Sequence, residues 1–204
     1  MLSASKKVFF ANYVFQVSEN VYEPAEDSFF FAENLVVKKG ETVLDMGTGC
    51  GILGITAAKK AAKVVAVDIS PHAVQCAKAN AKLNEIANKM FFVQGDLFTP
   101  IKTKEKFGLI LFNSPYLPSE PPEDDSWLGR AWAGGVGGRK VIDRFICEAS
   151  KNLEENGRIL LVQSTLSDVD ETLLGFEENG LKANIVATRA LPFFETIVLV
   201  KAEL

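Results

Sequence analysis

Residues 42–51 read TVLDMGTGCG, an apolar segment that runs into an acid and three closely spaced glycines. The apolar part, Thr42–Asp45, predicts a buried strand, and Ile52–Lys60 directly after the glycines predicts a helix. Alternate glycines let the backbone turn sharply and let a ligand approach closely, and open α/β sheets bind ligands at the carboxyl ends of their strands. The predicted ligand-binding positions of this stretch are Asp45, Gly47, Gly49 and Gly51.

The spacing of the glycines restricts the class of ligand. The dinucleotide-binding pattern G-x-G-x-x-G would place its third glycine at position 52, which is Ile52. The observed G-x-G-x-G lacks the extra step that brings a helix N-terminus onto a pyrophosphate. The stretch therefore favours a cofactor without phosphates over a nicotinamide dinucleotide, and a glycine-rich turn that binds nothing is the alternative interpretation.

Strands and helices alternate along the chain after this stretch. Further strands are predicted at Val64–Val67, Met90–Val93, Leu109–Phe112 and Ile159–Gln163, and further helices at Pro71–Asn84, Lys140–Leu153 and Val169–Glu178. This alternation predicts an α/β fold with a doubly wound, mostly parallel sheet covered on both faces. Lys182–Leu191 and Thr196–Lys201 have no helix between them, which predicts an antiparallel C-terminal edge and seven strands in all.

The chain upstream of the glycines is expected to pack on the same domain. Val8–Val17 is rich in aromatic residues and indicates one or two short strands or a packing arm. A helix with acidic residues in its first turn is predicted after Ala25 and is expected to end at Gly40. We therefore expect a single domain over residues 1–204, with residues 1–40 as an N-terminal extension packed on it.

The composition is that of a globular protein: 204 residues, 48% hydrophobic and 24% charged, with a net charge of -4. No block of lysine and arginine indicates a large nucleic-acid-binding surface. The three cysteines are odd in number and widely spaced, which fits a reducing compartment and predicts no metal site. The N-terminus does not read as a signal peptide and no apolar run approaches the roughly 20 residues of a membrane span, so we expect a cytoplasmic protein.

Acidic residues also follow the next two predicted strands. Asp68 can accept both hydroxyls of a ribose, or it can cap the next helix, although Ser70 before Pro71 is better placed as the cap. Asp96 can accept a hydrogen bond from the exocyclic amine of adenine, with Leu97 beside the ring edge, and its alternative role is that of a turn aspartate. With the acid of the first strand, these residues outline a slot for a nucleoside that bears a charged tail.

The apolar run FGLILF, residues 107–112, leads into Asn113-Ser114-Pro115-Tyr116, hereafter the acceptor lip. Proline fixes its own φ and favours an extended conformation at the preceding residue, so the backbone carbonyls of the lip are held in place. The Asn113 side-chain oxygen supplies a further acceptor. Two fixed acceptors beside an aromatic ring form a cradle for a planar NH2 group that must be aimed at an electrophile.

The order of these elements resembles the class I S-adenosylmethionine-dependent methyltransferases, which have a Rossmann-like sheet. The acceptor lip resembles the Asn-Pro-Pro-Tyr signature of members that methylate amino or amide nitrogens. Residues 21–28 (VYEPAEDS), 131–135 (AWAGG) and 138–145 (GRKVIDRF) are similar to the HemK-like branch, of the archaeal and eukaryotic type. That branch methylates the glutamine of the Gly-Gly-Gln loop in translation release factors. Ser114 departs from the pattern, which has proline there, but the group that matters at this position is the backbone carbonyl.

The resemblance implies an enzyme that methylates a release-factor glutamine, with S-adenosyl-L-methionine as its cofactor. It implies catalytic roles for Asn113, Ser114, Pro115 and Tyr116, and substrate contacts from Asn113, Tyr116 and Trp132. The residues expected to bind the cofactor are Ser28, Asp45, Gly47, Gly49, Gly51, Asp68, Asp96, Leu97 and Asn113. In the resembling proteins a small zinc-binding activator subunit pairs with the enzyme, so such a subunit is a candidate partner here.

Two other hypotheses remain at this point. The first is methylation of adenine at N6, or of another base, in RNA or DNA, because the same lip can hold a flipped base. The net charge of -4 and the absence of a basic block disfavour it. The second is a non-catalytic cofactor-binding scaffold, which the presence of Asn113, Asp68 and the glycines disfavours.

Overall fold

The computed structural model of the chain describes residues 5–123 and 125–204. Within those ranges the strands are β1 (Ser5–Phe10), β2 (Tyr13–Ser18), β3 (Thr42–Met46), β4 (Lys63–Asp68), β5 (Met90–Gln94), β6 (Phe107–Asn113), β7 (Leu153–Ser164), β8 (Lys182–Ala190) and β9 (Thr196–Glu203). The α-helices are α1 (Glu26–Glu33), α2 (Ile52–Ala58), α3 (Pro71–Leu83), α4 (Trp127–Arg130), α5 (Ile142–Ala149) and α6 (Val169–Glu178).

Seven strands form the main sheet in the order β5-β4-β3-β6-β7-β9-β8. The pairs β3–β4, β4–β5 and β6–β7 are parallel, whereas β7–β9 and β8–β9 are antiparallel. Parallel neighbours need crossover connections, which α2 supplies between β3 and β4 and α3 supplies between β4 and β5. The predicted doubly wound, mostly parallel sheet with an antiparallel C-terminal edge is confirmed.

The chain divides into two compact units, one ending at Pro100 and one beginning at Ile101. The first is built on β3, β4 and β5, and the middle residues of β3 and β4, such as Leu44 and Ala66, are fully buried. Such burial on both faces is what parallel strands covered by helices require. The aromatic-rich N-terminal segment forms the antiparallel β1–β2 hairpin, and β2 packs against α3.

The second unit is built on β6 to β9. Every residue of β6 before Asn113 is buried, and Phe112 packs on Phe145 of α5 with ring centroids 4.4 Å apart. Helix α6 packs on α5 and on β8. In the parallel pair of β6 and β7, Asn113 stands opposite Val162. The last residue of β6 is therefore paired with a buried stretch of β7, and the residue before it packs on α5.

The helix predicted at Lys140–Leu153 is wrong at its end. Helix α5 stops at Ala149, a short 3-10 turn follows, and Leu153 already begins β7. Asn156 and the glycine after it, which predicted the end of the helix, lie inside β7, where the pairing with β6 shifts register and Asn156 takes a left-handed φ of +64°. Asn156 and Gly157 therefore do mark a local turn of the backbone, but that turn is a bulge inside β7.

The helix predicted to end at Gly40 is also shorter than expected. It ends at Glu33, and the Asn34 side chain donates a hydrogen bond of 2.8 Å to the Phe30 carbonyl, which satisfies one of the last free acceptors of the helix. Between β6 and α5, the described residues also include the short helix α4. In the described part of the chain, no helix has the length and apolar character needed to cross a membrane.

Candidate active site

The glycine loop, residues 46–51, connects β3 to α2, and its three glycines take left-handed φ values between +55° and +91°. The Gly51 N–H donates to the Thr48 carbonyl at 2.8 Å, and the Thr48 N–H donates to the Val67 carbonyl of β4 at 3.0 Å. A Cβ placed on Gly49 would meet no atom of the described residues closer than 4.0 Å. The space beside Gly49 is therefore open to a ligand that approaches the backbone closely.

Asp45 lies fully buried near the end of β3. Its Oδ2 accepts hydrogen bonds from the Thr48 hydroxyl at 2.6 Å and from the Gly54 N–H at 3.0 Å. Its Oδ1 is buried and has no hydrogen-bond partner among the described residues. Burial raises the pKa of Asp45 to about 7. The unpartnered oxygen fits a ligand with positive charge or N–H donors, because such a ligand would supply the missing partner.

Asp68, the last residue of β4, joins two loops. Its Oδ2 accepts from the Gly49 N–H and its Oδ1 accepts from the Ser70 N–H, each at 2.9 Å. Ser70 is the N-cap of α3, as predicted, and its hydroxyl accepts from the Ala73 N–H. The Ile69 N–H also bonds this carboxylate. Three of its four lone pairs are therefore used within the protein, and one remains for a ribose hydroxyl.

The turn after β5 carries the next predicted cofactor residues. The Gly95 N–H donates to the Asp68 carbonyl at 2.9 Å, which joins this turn to the end of β4. Asp96 is half-buried, and Leu97 is buried with a left-handed φ of +47°. The ends of β3, β4 and β5 are thus linked in series by hydrogen bonds, and they carry the predicted nucleoside-binding acids.

Ser28 lies on a separate element, helix α1. It is buried, and both its N–H and its hydroxyl donate to the Asp27 carboxylate, at 2.7 and 3.3 Å. The Tyr22 hydroxyl donates to the same carboxylate oxygen at 3.3 Å. The VYEPAEDS segment therefore folds into a compact polar cluster that fixes the start of α1.

The acceptor lip continues directly from β6. Asn113 is half-buried at the end of the strand, and Ser114 and Tyr116 are buried. The Ser114 hydroxyl donates to the Val162 carbonyl of β7 at 2.9 Å. This bond ties the lip to its neighbouring strand. A serine at this position therefore replaces the backbone restraint of a proline with a hydrogen bond.

Residues 131–140, hereafter the supporting loop, are joined to the segment that follows the lip. The Leu117 N–H donates to the Trp132 carbonyl at 3.0 Å, and the Gly134 N–H donates to the Leu117 carbonyl at 2.8 Å. One step further on, the Ser119 N–H donates to the Gly135 carbonyl at 2.9 Å. The half-buried Trp132, predicted as a substrate wall, is thereby held close in space to the lip.

Gly138 lets the supporting loop lie directly on the lip. Its φ is +71°, and a Cβ built on it would lie 2.2 Å from the Tyr116 carbonyl oxygen and 2.8 Å from the Ser167 Cβ. No side chain fits there without moving the backbone of the lip.

Arg139 anchors the supporting loop on its other side. Its side chain is 14% exposed, and its guanidinium donates to the Ser167 carbonyl at 2.8 Å and to the Asp143 carboxylate at 2.6 Å. It also donates to the Thr172 hydroxyl of α6 at 2.9 Å. A guanidinium presents several donors in a fixed fork, so one residue joins the loop to α5, α6 and the turn between β7 and α6.

A cavity of about 340 Å³ opens between the supporting loop and the segment that follows the lip. Its walls carry both charges and little side-chain bulk, because three of its lining residues are glycines. The lining residues are Ser119, Glu120, Pro121, Gly134, Gly135, Val136, Gly137, Arg139 and Lys140.

The family described as ribosomal protein L11 methyltransferase (PrmA) matches residues 28–114. A putative protein N5-glutamine methyltransferase of Methanocaldococcus jannaschii is 45% identical over 181 residues, covering 88% of this chain and 90% of that relative. The chain belongs to the HemK-type protein glutamine methyltransferase family. The methyltransferase HEMK2 of Homo sapiens is 30% identical to this HemK-type methyltransferase over 181 residues, which are 83% of the chain and 84% of the relative.

A solved structure of similar fold is the Mtq2–Trm112 complex of E. cuniculi, described as responsible for methylation of the translation termination factor eRF1. It matches this HemK-type methyltransferase with a TM-score of 0.66 and 27% identity, over 90% of this chain and 98% of the other. The Rossmann-like class I methyltransferase fold and the HemK-like resemblance predicted from the sequence are confirmed.

Sequence reasoning missed two supports of the site in this HemK-type methyltransferase. Gly54 was not singled out, although its N–H holds Asp45 and a Cβ there would lie 2.7 Å from the Asp45 Oδ2. The available signal was a glycine inside a helix, which usually has a packing reason. The contact of Gly138 with Tyr116 has no comparable signal, because it joins two loops that are distant in sequence.

Proposed function

We propose that this protein is an S-adenosylmethionine-dependent N-methyltransferase that methylates the side-chain amide of the glutamine in the Gly-Gly-Gln motif of a translation release factor. The observation that carries the proposal is the acceptor lip. Asn113 ends a fully buried strand, and the next residue is tied to β7 through the Ser114 hydroxyl. Family membership supports the same activity, since relatives are named protein N5-glutamine and release factor glutamine methyltransferases.

The cofactor residues are proposed to be those at the ends of the first three parallel strands. Asp68 would accept a ribose hydroxyl through its remaining lone pair, and Asp96 would accept from the adenine amine beside Leu97. The glycine loop would admit the methionyl part, and the unpartnered Asp45 oxygen would face its positive charge, with Ser28 nearby. When bound, S-adenosylmethionine supplies a methyl group that is already activated for transfer to a nucleophile.

The lip is proposed to orient the nitrogen that accepts this methyl group. One N–H of the glutamine amide would donate to the Asn113 side-chain oxygen and the other to the Ser114 carbonyl, while Tyr116 packs on the amide plane. These acceptors would hold the nitrogen in line and favour loss of its planarity. In the transfer the methyl carbon would exchange its bond to sulfur for a bond to nitrogen, and one N–H proton would pass to water. Removal of the Asn113 side chain is expected to cost about 2–4 kcal/mol of transition-state stabilisation, as for other single positioned polar groups.

The cavity beside the supporting loop is proposed to receive substrate chain next to the target glutamine. It adjoins the segment that follows Tyr116, and its glycine-rich wall leaves room for an extended backbone. Trp132 would form a wall of this acceptor site. A release factor as substrate implies that the enzyme works in the cytoplasm, where translation takes place. A small zinc-binding activator subunit is part of the proposal, because the E. cuniculi relative is a complex with Trm112.

The test is to incubate the protein with methyl-labelled S-adenosylmethionine and either a release factor or total RNA. We expect label in the release factor, located by peptide mass analysis at the glutamine of the Gly-Gly-Gln motif, and none in RNA. A release factor whose target glutamine is replaced by alanine serves as the matched control. Label in RNA but not in protein would favour base methylation and overturn the proposal.

A further inference from the structure

The N-terminal hairpin is held on α3 by a row of amide side chains. The Asn80 Oδ1 accepts from the Gln16 N–H at 2.8 Å, and the Asn80 Nδ2 donates to the Gln16 carbonyl at 3.0 Å. Four residues later, Asn84 repeats this pattern on Val14: its Oδ1 accepts from the N–H at 3.0 Å and its Nδ2 donates to the carbonyl at 2.8 Å. The two asparagines therefore bond the edge of β2 as a neighbouring strand would.

The two asparagines of α3 match the spacing of Val14 and Gln16 for a simple geometric reason. Four helical residues rise about 6 Å at 1.5 Å each, and two strand residues advance about 6.8 Å at 3.4 Å each. Side chains one turn apart on α3 therefore meet alternate residues of β2. Alternate residues of an antiparallel strand direct their N–H and C=O groups to the same side, which is the side that β1 leaves free on β2.

Asn80 also bonds the glycine loop, which Asn84 does not. Its Nδ2 donates to the Cys50 carbonyl at 2.9 Å, and Cys50 belongs to the glycine loop. Asn80 is 1% exposed, and both the nitrogen and the oxygen of its side-chain amide have hydrogen-bond partners. The Cys50 carbonyl belongs to the peptide group that precedes the left-handed Gly51, so this bond fixes that peptide plane.

The glycine loop is thus held from two directions. On one side the Gly49 N–H donates to Asp68, and on the other the Cys50 carbonyl accepts from Asn80. We propose that Asn80 is a positioning residue that couples the β1–β2 hairpin to the cofactor-binding loop, so that docking of the hairpin and binding of the cofactor strengthen each other. This inference rests on the proposed use of the glycine loop for S-adenosylmethionine.

Asn84 provides a matched control for this coupling. Asn84→Ala removes two bonds to the hairpin, as Asn80→Ala does, but it leaves the bond to the glycine loop intact. In calorimetry with S-adenosylhomocysteine, we expect Asn80→Ala to raise the Kd on the order of tenfold, as expected when a buried carbonyl loses its partner. We expect Asn84→Ala to change the Kd less than about twofold, within the usual range for sites away from the ligand.

Coupling must be reciprocal, so the ligand should also act on the hairpin. Hydrogen exchange can be measured on the wild-type protein alone, so it tests the coupling even if Asn80→Ala does not fold. We expect S-adenosylhomocysteine to slow exchange of the Gln16 amide in the wild type and in Asn84→Ala, but not in Asn80→Ala. Amides of the β8–β9 edge, which lie in the other unit, serve as the reference for changes in global stability.

The outcomes separate this inference from the proposed function. Failure of the wild type to bind S-adenosylhomocysteine would overturn both. Tight binding by the wild type, together with equal Kd values for Asn80→Ala and Asn84→Ala, would overturn the coupling alone. Unchanged exchange of the Gln16 amide on ligand binding would also overturn it.

Discussion

Replacing Gly138 by alanine should disable methyl transfer while the protein still folds. The added Cβ would lie 2.2 Å from the Tyr116 carbonyl oxygen, whereas carbon and oxygen normally approach no closer than about 3.3 Å. The lip and the supporting loop must therefore separate by about 1 Å, and a misplacement of that size costs about 100-fold in catalysis. The carbonyl of Ser114, two residues before Tyr116, would move with the lip.

The same substitution carries a cost in stability. A left-handed φ costs a residue with a Cβ about 1–2 kcal/mol, and overpacking adds about 1–3 kcal/mol. For a chain of this size the sum lowers the Tm by roughly 5–15 °C. Gly180→Ala is the matched control, because Gly180 is exposed, has a similar left-handed φ of +80°, and has no described neighbour within 4 Å of the added Cβ.

The assay is initial-rate transfer of labelled methyl groups to a release factor, run well below both Tm values. We expect Gly138→Ala to lower kcat/KM by about 100-fold and Gly180→Ala to keep the wild-type kcat/KM. The Kd for S-adenosylhomocysteine should not change in either variant, since the proposed cofactor residues other than Asn113 lie before Pro100. Wild-type kcat/KM in Gly138→Ala would refute the reasoning that the supporting loop sets the position of the lip.

Substitutions at three other positions test the supports of the site. Gly54→Ala would place a Cβ 2.7 Å from the Asp45 Oδ2. We expect the free energy of unfolding in urea to fall by about 1–3 kcal/mol, and an unchanged urea midpoint would contradict this. Burial raises the pKa of Asp45 to about 7, whereas the unfolded chain releases this proton near pH 4. Between about pH 4 and 7 the unfolded state is ionised and the native state is not, so the free energy of unfolding falls as the pH rises. Asp45→Asn should lack this decline, and urea unfolding of the wild type and the variant between about pH 4 and 7 measures it. Parallel pH profiles of the two free energies of unfolding would contradict the prediction. Ser114→Ala should lose about 1 kcal/mol with its bond to Val162, and Ser114→Pro should retain activity as the family pattern implies; higher thermal stability of Ser114→Ala would refute the role of that bond.

The order of strands and helices was predictable because each element carries its own signal. Parallel strands buried on both faces read as short apolar runs, and the acids at their ends mark where the chain leaves the sheet. The end of α5 was not predictable from its local pattern. The segment after Ala149 has helix-compatible residues, yet Leu153 pairs with Phe107 of β6, and this tertiary pairing overrides local propensity.

For the candidate site, the ligand-facing positions were easier to predict than their supports. Asp68 and Asn113 stand at strand ends, where the topology alone brings polar groups to an edge of the sheet. The bonds of Asn80 to Cys50 and of Arg139 to Ser167 join elements that are distant in sequence. An asparagine or an arginine in a helix or loop is often exposed to solvent, so the residue type alone does not predict a buried hydrogen-bond partner.

The central claim is that the Asn113 side chain presents the glutamine nitrogen for methyl transfer. The most direct measurement is single-turnover transfer from labelled S-adenosylmethionine to a Gly-Gly-Gln release factor, by the wild type and by Asn113→Ala at saturating cofactor. The account predicts label on the glutamine side-chain nitrogen with the wild type, and a rate about 100- to 1,000-fold lower with Asn113→Ala. A transfer rate in Asn113→Ala equal to that of the wild type would contradict it.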